Sequence, residues 1–381
     1  MKVSGAWIEA EATQAVCRML SGAGHQALFV GGCVRNALLG ETVADIDIAT
    51  DARPEVVMDL AAAAGLKPVP TGIEHGTITV VSSHIPHEVT TFREDVETFG
   101  RHAVVAFSMD IHSDARRRDF TMNALYAQAD GTVIDPLAGL EDLRARRVRF
   151  IENADQRIRE DYLRILRFFR FHAWYGDPEG GLDADGLAAC AANLDGLARL
   201  SRERVGAEMC KLLGAPDPAR SVAAMQAAGV LNAVLPGAGA RPLALLVHQE
   251  TETNTAPDAI LRLAALGGES VAERLRLSKS DTRRLAHLQE KAAGLMQAAE
   301  LGYRYGVEEG QAILLLRGAW LETLVSPETA EDLKMGAAAR FPVAATDLMP
   351  DYSGPALGAR LQALERRWID SRFALSRDDL L

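Results

Sequence analysis

The segment Leu28-Phe-Val-Gly-Gly-Cys-Val-Arg35 constrains the fold of this chain more than any other, because its backbone geometry must change within a few residues. Leu28 to Val30 reads as a short strand, Gly31 and Gly32 permit a sharp turn, and Cys33 to Leu39 reads as a helix stopped by Gly40. A strand entering a helix through paired glycines aims free N–H groups at whatever lies above the turn, which suits a phosphate. Arg35 adds charge-assisted donors from the first helical turn. The next strand, Asp45-Ile-Asp-Ile-Ala49, places Asp45 and Asp47 on one face and Ile46 and Ile48 on the other. Converging carboxylates call for a hard cation, and Mg²⁺ favours carboxylates combined with substrate phosphates. Each motif has a bland reading of its own, a tight turn or a solvated edge strand. Together they point to chemistry on a nucleoside triphosphate, with Asp45 and Asp47 as metal ligands and Gly31, Gly32 and Arg35 around the phosphates.

With 381 residues, 48% of them hydrophobic, the chain has length and apolar content for at least two domains. The N-terminal Met1 to Glu9 lacks the apolar stretch of a signal peptide, and no run reaches the ~20 apolar residues that span a bilayer, so a cytoplasmic protein is expected. Cys17, Cys33, Cys190 and Cys210 lack C-x-x-C spacing and are expected to be reduced and mostly buried. A net charge of −11 excludes a uniformly basic surface but not a local patch. Arg116 to Arg118 form one such patch, and a second runs from Arg144 to Arg170, interleaved with Phe168, Phe169 and Phe171.

The chain reads as α+β over its first part. Helices are expected at Glu9 to Leu20 and Pro54 to Ala64, the latter capped by Thr50 or Asp51 and stopped by Gly65. Hairpins are expected at Thr77 to Val81 with Glu88 to Phe92, turning at Ser83 to Pro86, and at Ala124 to Ala127 with Thr132 to Ile134. From Glu152 onward only helical periodicity remains, giving an all-helical body.

Glu88 falls on a strand expected beside the Asp strand, either as a third catalytic carboxylate or as a surface glutamate. In Arg117-Arg-Asp-Phe-Thr-Met-Asn123, Arg118 suits triphosphate or sugar and Asp119 a ribose hydroxyl, unless the two simply close a loop on each other. Glu160 to Arg170 reads as one helix with Asp161, Arg164, Arg167 and Arg170 in a slowly drifting stripe. That stripe is either a ladder of ion pairs or a reader of bases. In the second reading Asp161 accepts from an exocyclic amine and Arg164 donates to an unprotonated ring nitrogen. Cytosine and adenine offer that pair of groups; uracil and guanine offer a carbonyl and a ring N–H instead.

These residues resemble the class II tRNA nucleotidyltransferases, the CCA-adding enzymes of the bacterial CCA-adding enzyme and poly(A) polymerase family within the DNA polymerase β-type superfamily. The matching motifs are Val30-Gly-Gly-Cys-Val-Arg35, Asp45-Ile-Asp47, Gly76-Thr-Ile-Thr79, Arg117 to Ala124, Asp135-Pro136, Glu160-Asp-Tyr-Leu-Arg164 and Ser201-Arg-Glu-Arg-Val205. Their order and spacing over residues 25 to 215 are far more specific than any one of them. The resemblance implies a mixed-sheet nucleotidyltransferase head at 1–145, a helical neck at 146–215 and a helical body and tail at 216–381. It also implies Mg²⁺ on Asp45 and Asp47, and ATP or CTP held by Gly32, Arg35, Arg118, Asp161, Arg164, Arg167 and Arg170. The expected partner is tRNA, at its 3′ end and acceptor arm, with no membrane and no obligate protein partner. Arg366, Arg367 and Arg372 are basic residues available to it near the C-terminus. Asn36 departs from the family's usual Asp; it is expected to orient Arg35 or cap the turn.

Three alternatives stay open on sequence alone. Bacterial poly(A) polymerases carry G-R-R-F after the D-x-D strand, where this chain has Gly72-Ile-Glu-His-Gly-Thr77. The enzymes that add only two cytidines lack part of a flexible loop, which Arg93 to Arg101 supplies here. A non-catalytic RNA- or nucleotide-binding protein is disfavoured by Asp45 and Asp47.

Overall fold

The computed structural model describes residues 1–99, 102–349 and 351–381. The chain divides into two compact units, Met1–Glu208 with Arg220–Val234, and Met209–Ala219 with Leu235–Leu381.

The first unit is built on a mixed sheet of β1 (Leu28–Val30), β2 (Asp47–Thr50), β3 (Lys67–Gly72), β4 (Thr77–Ser82), β5 (Ile85–Thr91), β8 (Tyr126–Gln128) and β9 (Val133–Ile134) in the order β3-β4-β5-β2-β1-β8-β9. Between β5 and β8, β6 (Arg93–Phe99) and β7 (His102–Phe107) form a separate two-stranded ribbon. Every neighbouring pair is antiparallel except β2 and β5, which run parallel. A parallel pair needs a crossover, and the helix Pro54–Ala63 with β3 and β4 supplies it. That helix and the helix Glu11–Gly22 pack on β4 and β5. β1 is buried along its whole length, which is why it reads as a continuous apolar run.

Several local expectations change. The N-terminal helix is two pieces, Ala6–Glu9 and Glu11–Gly22, because Ala10 leaves helical geometry (ψ 130°). Neither expected residue caps the helix Pro54–Ala63: Thr50 Oγ1 accepts from Ala52 N at 3.1 Å, and Asp51 Oδ1 accepts from Gln26 N at 2.8 Å. The helix instead starts after Arg53 with proline in its first turn. The β4–β5 turn tightens to Ser83-His84, with φ 48° and 68°, the left-handed pair that matches strand twist. Sequence reading passes over β3 because Pro68 and Pro70 lie within it; an edge strand pairing only with β4 tolerates them. It also reads Arg93 to Arg101, which carries β6, as a flexible loop and passes over β7. Of that stretch, Gly100 and Arg101 lie outside the described residues.

The second unit is all-helical among its described residues. Its long helix, Ala298–Leu321, turns at Gly306 (φ 79°) and lies against the helix Pro327–Ala338. Glycines set how closely they approach, since a Cβ on Gly302 would overlap the Leu333 carbonyl and one on Gly336 the Ala299 carbonyl. Arg262 is buried, with Nε on Glu250 Oε2 at 2.9 Å and Nη1 on the Leu213 carbonyl at 2.7 Å. Arg366 pairs with Glu300 at 3.1 Å and Arg372 pairs with Asp332. Two of the three arginines expected to be available to RNA thus carry ion pairs within this unit while their side chains stay exposed.

Candidate active site

Gly31 adopts φ 70° and ψ −118°, a backbone state that side chains resist. Its N–H donates to the Leu125 carbonyl at 3.1 Å, fixing the turn to the chain entering β8. A Cβ at Gly31 would come within 3.1 Å of Arg118 Nη1, so the guanidinium of one motif lies over the glycine of another. Gly32 then opens the helix Gly32–Leu39.

The D-x-D segment enters the sheet later than expected, with β2 beginning at Asp47. Alternation still holds: Ile46 and Ile48 are buried, Asp45 is exposed and Asp47 half-buried. Asp47 on β2 is paired in register with Glu88 on β5, and Glu88 N donates to the Ile46 carbonyl at 3.1 Å. Burial, and after it the Glu88 charge, pushes Asp47 up to about 6, with Asp45 adding to the rise and Arg118 opposing it. Carboxylates repelling each other in this way fit a bound cation. Among the described residues no three His, Cys, Asp or Glu side chains gather closely enough to hold an ion by themselves. A cation here therefore needs oxygens from substrate or water, which is how Mg²⁺ is commonly held.

Arg118 is locked in place by Tyr126 and Asp114. Its Nε donates to Tyr126 Oη and its Nη2 to Asp114 Oδ2, both at 3.3 Å, while Tyr126 Oη donates to the same Asp114 oxygen at 2.7 Å. Burial opposes the charge, yet Tyr126 and Asp114 outweigh it and raise the Arg118 pKa above its ordinary value. Arg118 and Asp119 do not close on each other. Asp119 is buried and accepts from Phe120 N at 2.9 Å, Asn123 Nδ2 at 3.2 Å and Arg167 Nε at 2.7 Å. Burial alone would raise its pKa, but the Arg167 charge prevails and lowers it. With these donors around it, Asp119 positions Arg167 rather than presenting a free acceptor to a ribose.

Arg35 also turns inward. It is 6% exposed, donating to Asn36 Oδ1 from Nε at 3.1 Å, to Asn123 Oδ1 from Nη1 at 2.8 Å and to Tyr175 Oη from Nη2 at 2.9 Å. The Tyr175 ring lies 3.9 Å below its guanidinium. Burial lowers the Arg35 pKa. Asn36 does orient Arg35, and its Nδ2 donates to the Thr42 carbonyl at 2.9 Å.

The expected single helix from Glu160 to Arg170 breaks at Asp161. Ala154–Glu160 ends there, Asp161 is extended (φ −149°, ψ 105°), and Leu163–Tyr175 begins. The break comes from the aspartate itself, whose Oδ1 accepts from Leu163 N at 3.1 Å as a short polar side chain does at a helix start. Asp161 is thereby presented at a corner. Arg164 Nη1 donates to Glu160 Oε2 at 2.6 Å and to the Arg157 carbonyl at 2.7 Å, and its Nη2 donates to the Arg117 carbonyl at 2.9 Å. The helix is anchored by Phe120, whose ring lies 5.0 Å from Phe150 and 4.8 Å from Phe171.

A cleft of about 330 Å³ gathers Arg117, Arg118, Asp119, Asp161, Arg164 and Arg167. Gly31, Gly32, Arg35, Asp45, Asp47, Glu88 and Arg170 are not on its wall; Arg170 Nε is held by Glu208 Oε2 at 2.6 Å. The wall also contains Asp114, Asn123 and Arg204, which sequence reading did not assign to the site. Asp114 carried a signal, lying four residues before Arg118 with the opposite charge.

Residues 27–149 match the family model described as Poly A polymerase head domain, and residues 182–240 the model described as probable RNA and SrmB-binding site of polymerase A. The chain is 33% identical over 374 residues to the mitochondrial CCA tRNA nucleotidyltransferase 1 of Danio rerio, covering 93% of this chain and 85% of that protein. The chain belongs to the CCA tRNA nucleotidyltransferase family. The CCA-adding enzyme of Geobacillus stearothermophilus is 42% identical over 224 residues, an alignment spanning 58% of this chain and 54% of that enzyme. The crystal structure of the Bacillus stearothermophilus CCA-adding enzyme in complex with CTP superposes with a TM-score of 0.72 at 28% identity, covering 95% of this chain and 93% of that one. This member of the tRNA nucleotidyltransferase family has, among its described residues, no helix long and apolar enough to cross a membrane.

Proposed function

We propose that the site adds C, C and A in turn to the 3′ end of tRNA, using CTP and ATP without a nucleic acid template and releasing pyrophosphate. The observation that carries this reading is the cleft shared by Arg118, Asp161 and Arg164, which joins a triphosphate cation to an acceptor and a donor suited to C and A. Gly31 lets Arg118 lie against the turn, so the phosphates are received at Gly31, Gly32 and Arg118. Asp161 keeps lone pairs beyond those turned to Leu163 and Arg204, and Arg164 has N–H groups beyond those it gives to Glu160, Arg157 and Arg117. Asp45 and Asp47 would hold the divalent metal, taken as Mg²⁺, with Glu88 beside them. When bound, one such ion would activate the RNA 3′-hydroxyl and a second would steady the triphosphate. The new bond joins the 3′-oxygen to the α-phosphorus, and the bond from that phosphorus to pyrophosphate breaks. Arg167 and Arg170 support the nucleotide from the neck helix, and Arg35 supports the cradle from beneath. Residues 1–145 serve as head, 146–215 as neck and 216–381 as the body and tail along which tRNA lies, in a cytoplasmic enzyme.

The test is incubation with tRNA lacking its terminal CCA, CTP, ATP and Mg²⁺. Three nucleotides are expected, then a stop, with EDTA abolishing addition and Mg²⁺ restoring it. Addition of cytidines alone assigns the chain to the two-cytidine enzymes, and long A tails assign it to the poly(A) polymerases. No addition to any truncated tRNA leaves a binding protein.

A further inference from the structure

The helix Arg202–Leu213 carries Arg204 and Glu208 one turn apart, on one face and with opposite charges. Arg204 Nη2 donates to Asp161 Oδ2 at 2.6 Å. Glu208, 6% exposed, accepts from Arg170 Nε at 2.6 Å and lies 4.0 Å from Arg167 Nη1. The base-reading segment has the complementary pattern, an anion at Asp161 followed by cations at Arg167 and Arg170. One helix therefore grips the other at both ends of its charge reversal. At the Asp161 end the consequence is chemical. With Oδ1 accepting from Leu163 N and Oδ2 from Arg204, the carboxylate is fixed in rotation and offers the cleft only acceptor lone pairs. A carboxylate so held can meet an exocyclic amine and repels a carbonyl oxygen.

We propose that Arg202–Leu213 is a specificity brace in which Arg204 determines which base is accepted, by fixing Asp161, and Glu208 determines how tightly any nucleotide is held, by placing Arg167 and Arg170. Both are positioning residues acting through others, and the assignment rests on the proposed CCA addition. Its physical basis is general: a carboxylate without its guanidinium partner can rotate and change partners, so discrimination between amine and carbonyl weakens.

The experiment is single-nucleotide addition to truncated tRNA, with each of CTP, ATP, UTP and GTP offered separately to wild type, Arg204→Gln, Arg204→Lys and Glu208→Gln. Thermal unfolding of each variant is followed alongside. Arg204→Gln is expected to raise misaddition of U and G relative to C and A by about tenfold. Arg204→Lys, which keeps a cation facing Asp161, is expected to recover part of the preference and to report on the same point should the glutamine variant not fold. Glu208→Gln is expected to raise KM for CTP and ATP alike, with kcat within about threefold and the preference unchanged. An active wild type whose Arg204 variants keep the full C and A preference, or lose all four nucleotides in proportion to lost stability, overturns the brace alone. A wild type that adds nothing overturns the reading beneath it.

Discussion

Asp47 meets opposing demands as a single residue: its charge is disfavoured by burial, Glu88 and Asp45, yet that charge is what a cation requires. Asp47→Asn should therefore abolish nucleotide addition while leaving the metal-free protein at least as stable, with Tm unchanged or raised and the unfolding free energy higher by about 1 kcal/mol at neutral pH. Parallel melting and incorporation measurements check this, and a large fall in Tm would contradict it. Gly31→Ala combines a positive φ with a methyl 3.1 Å from Arg118 Nη1. It should cost about 1–3 kcal/mol of stability and raise KM for both nucleotides by displacing Arg118. Loss of stability with KM unchanged would show that Arg118 does not need that glycine. The turn at Gly31 and the alternation around Asp45 and Asp47 were legible because a turn or a strand end leaves local signals. The inward turn of Arg35 was not, because its acceptors Asn123 and Tyr175 lie far along the chain.

Among the elements, the corner at Asp161 matters most. Sequence periodicity extends one helix through Glu160 to Arg170, whereas the structure divides it so that Asp161 leaves the helical surface. The following Tyr162 packs its ring directly on Gly196, where a Cβ would overlap it. Gly196→Ala should therefore move Tyr162, lower stability by about 1–3 kcal/mol as overpacking does, and loosen the C and A preference. Denaturation and misaddition measured on the same variant test this. A stable Gly196→Ala protein with unchanged preference would remove Tyr162 from any part in holding the corner. Strands followed the same division: β1, β2, β4 and β5 were legible from alternation and apolar runs, but edge prolines concealed β3.

In the whole molecule, the first unit takes Arg220–Val234 back from beyond Met209–Ala219, and His172 helps hold the returning segment. Its Nδ1 lies 2.7 Å from Ser221 Oγ, and burial pulls the imidazole below its ordinary pKa. The unfolded chain then takes up that proton first, so the associated stability is intact above about pH 6.5 and is lost as pH falls below it. His172→Asn should flatten the fall of stability between pH 6.5 and 5 by up to about 1.4 kcal/mol per pH unit. Urea unfolding at several pH values measures it, and identical slopes in the two proteins would count against the assignment. By itself the sequence determined the α+β class, the helical C-terminal part, the glycine turn and the family, because each depends on residue type and short spacing. Only the tertiary structure decided which charges face the cleft and which face each other. Asp119 with Arg167, Asp161 with Arg204 and Arg170 with Glu208 are partners brought together by packing, and buried charge is stable only where the fold supplies its counterpart.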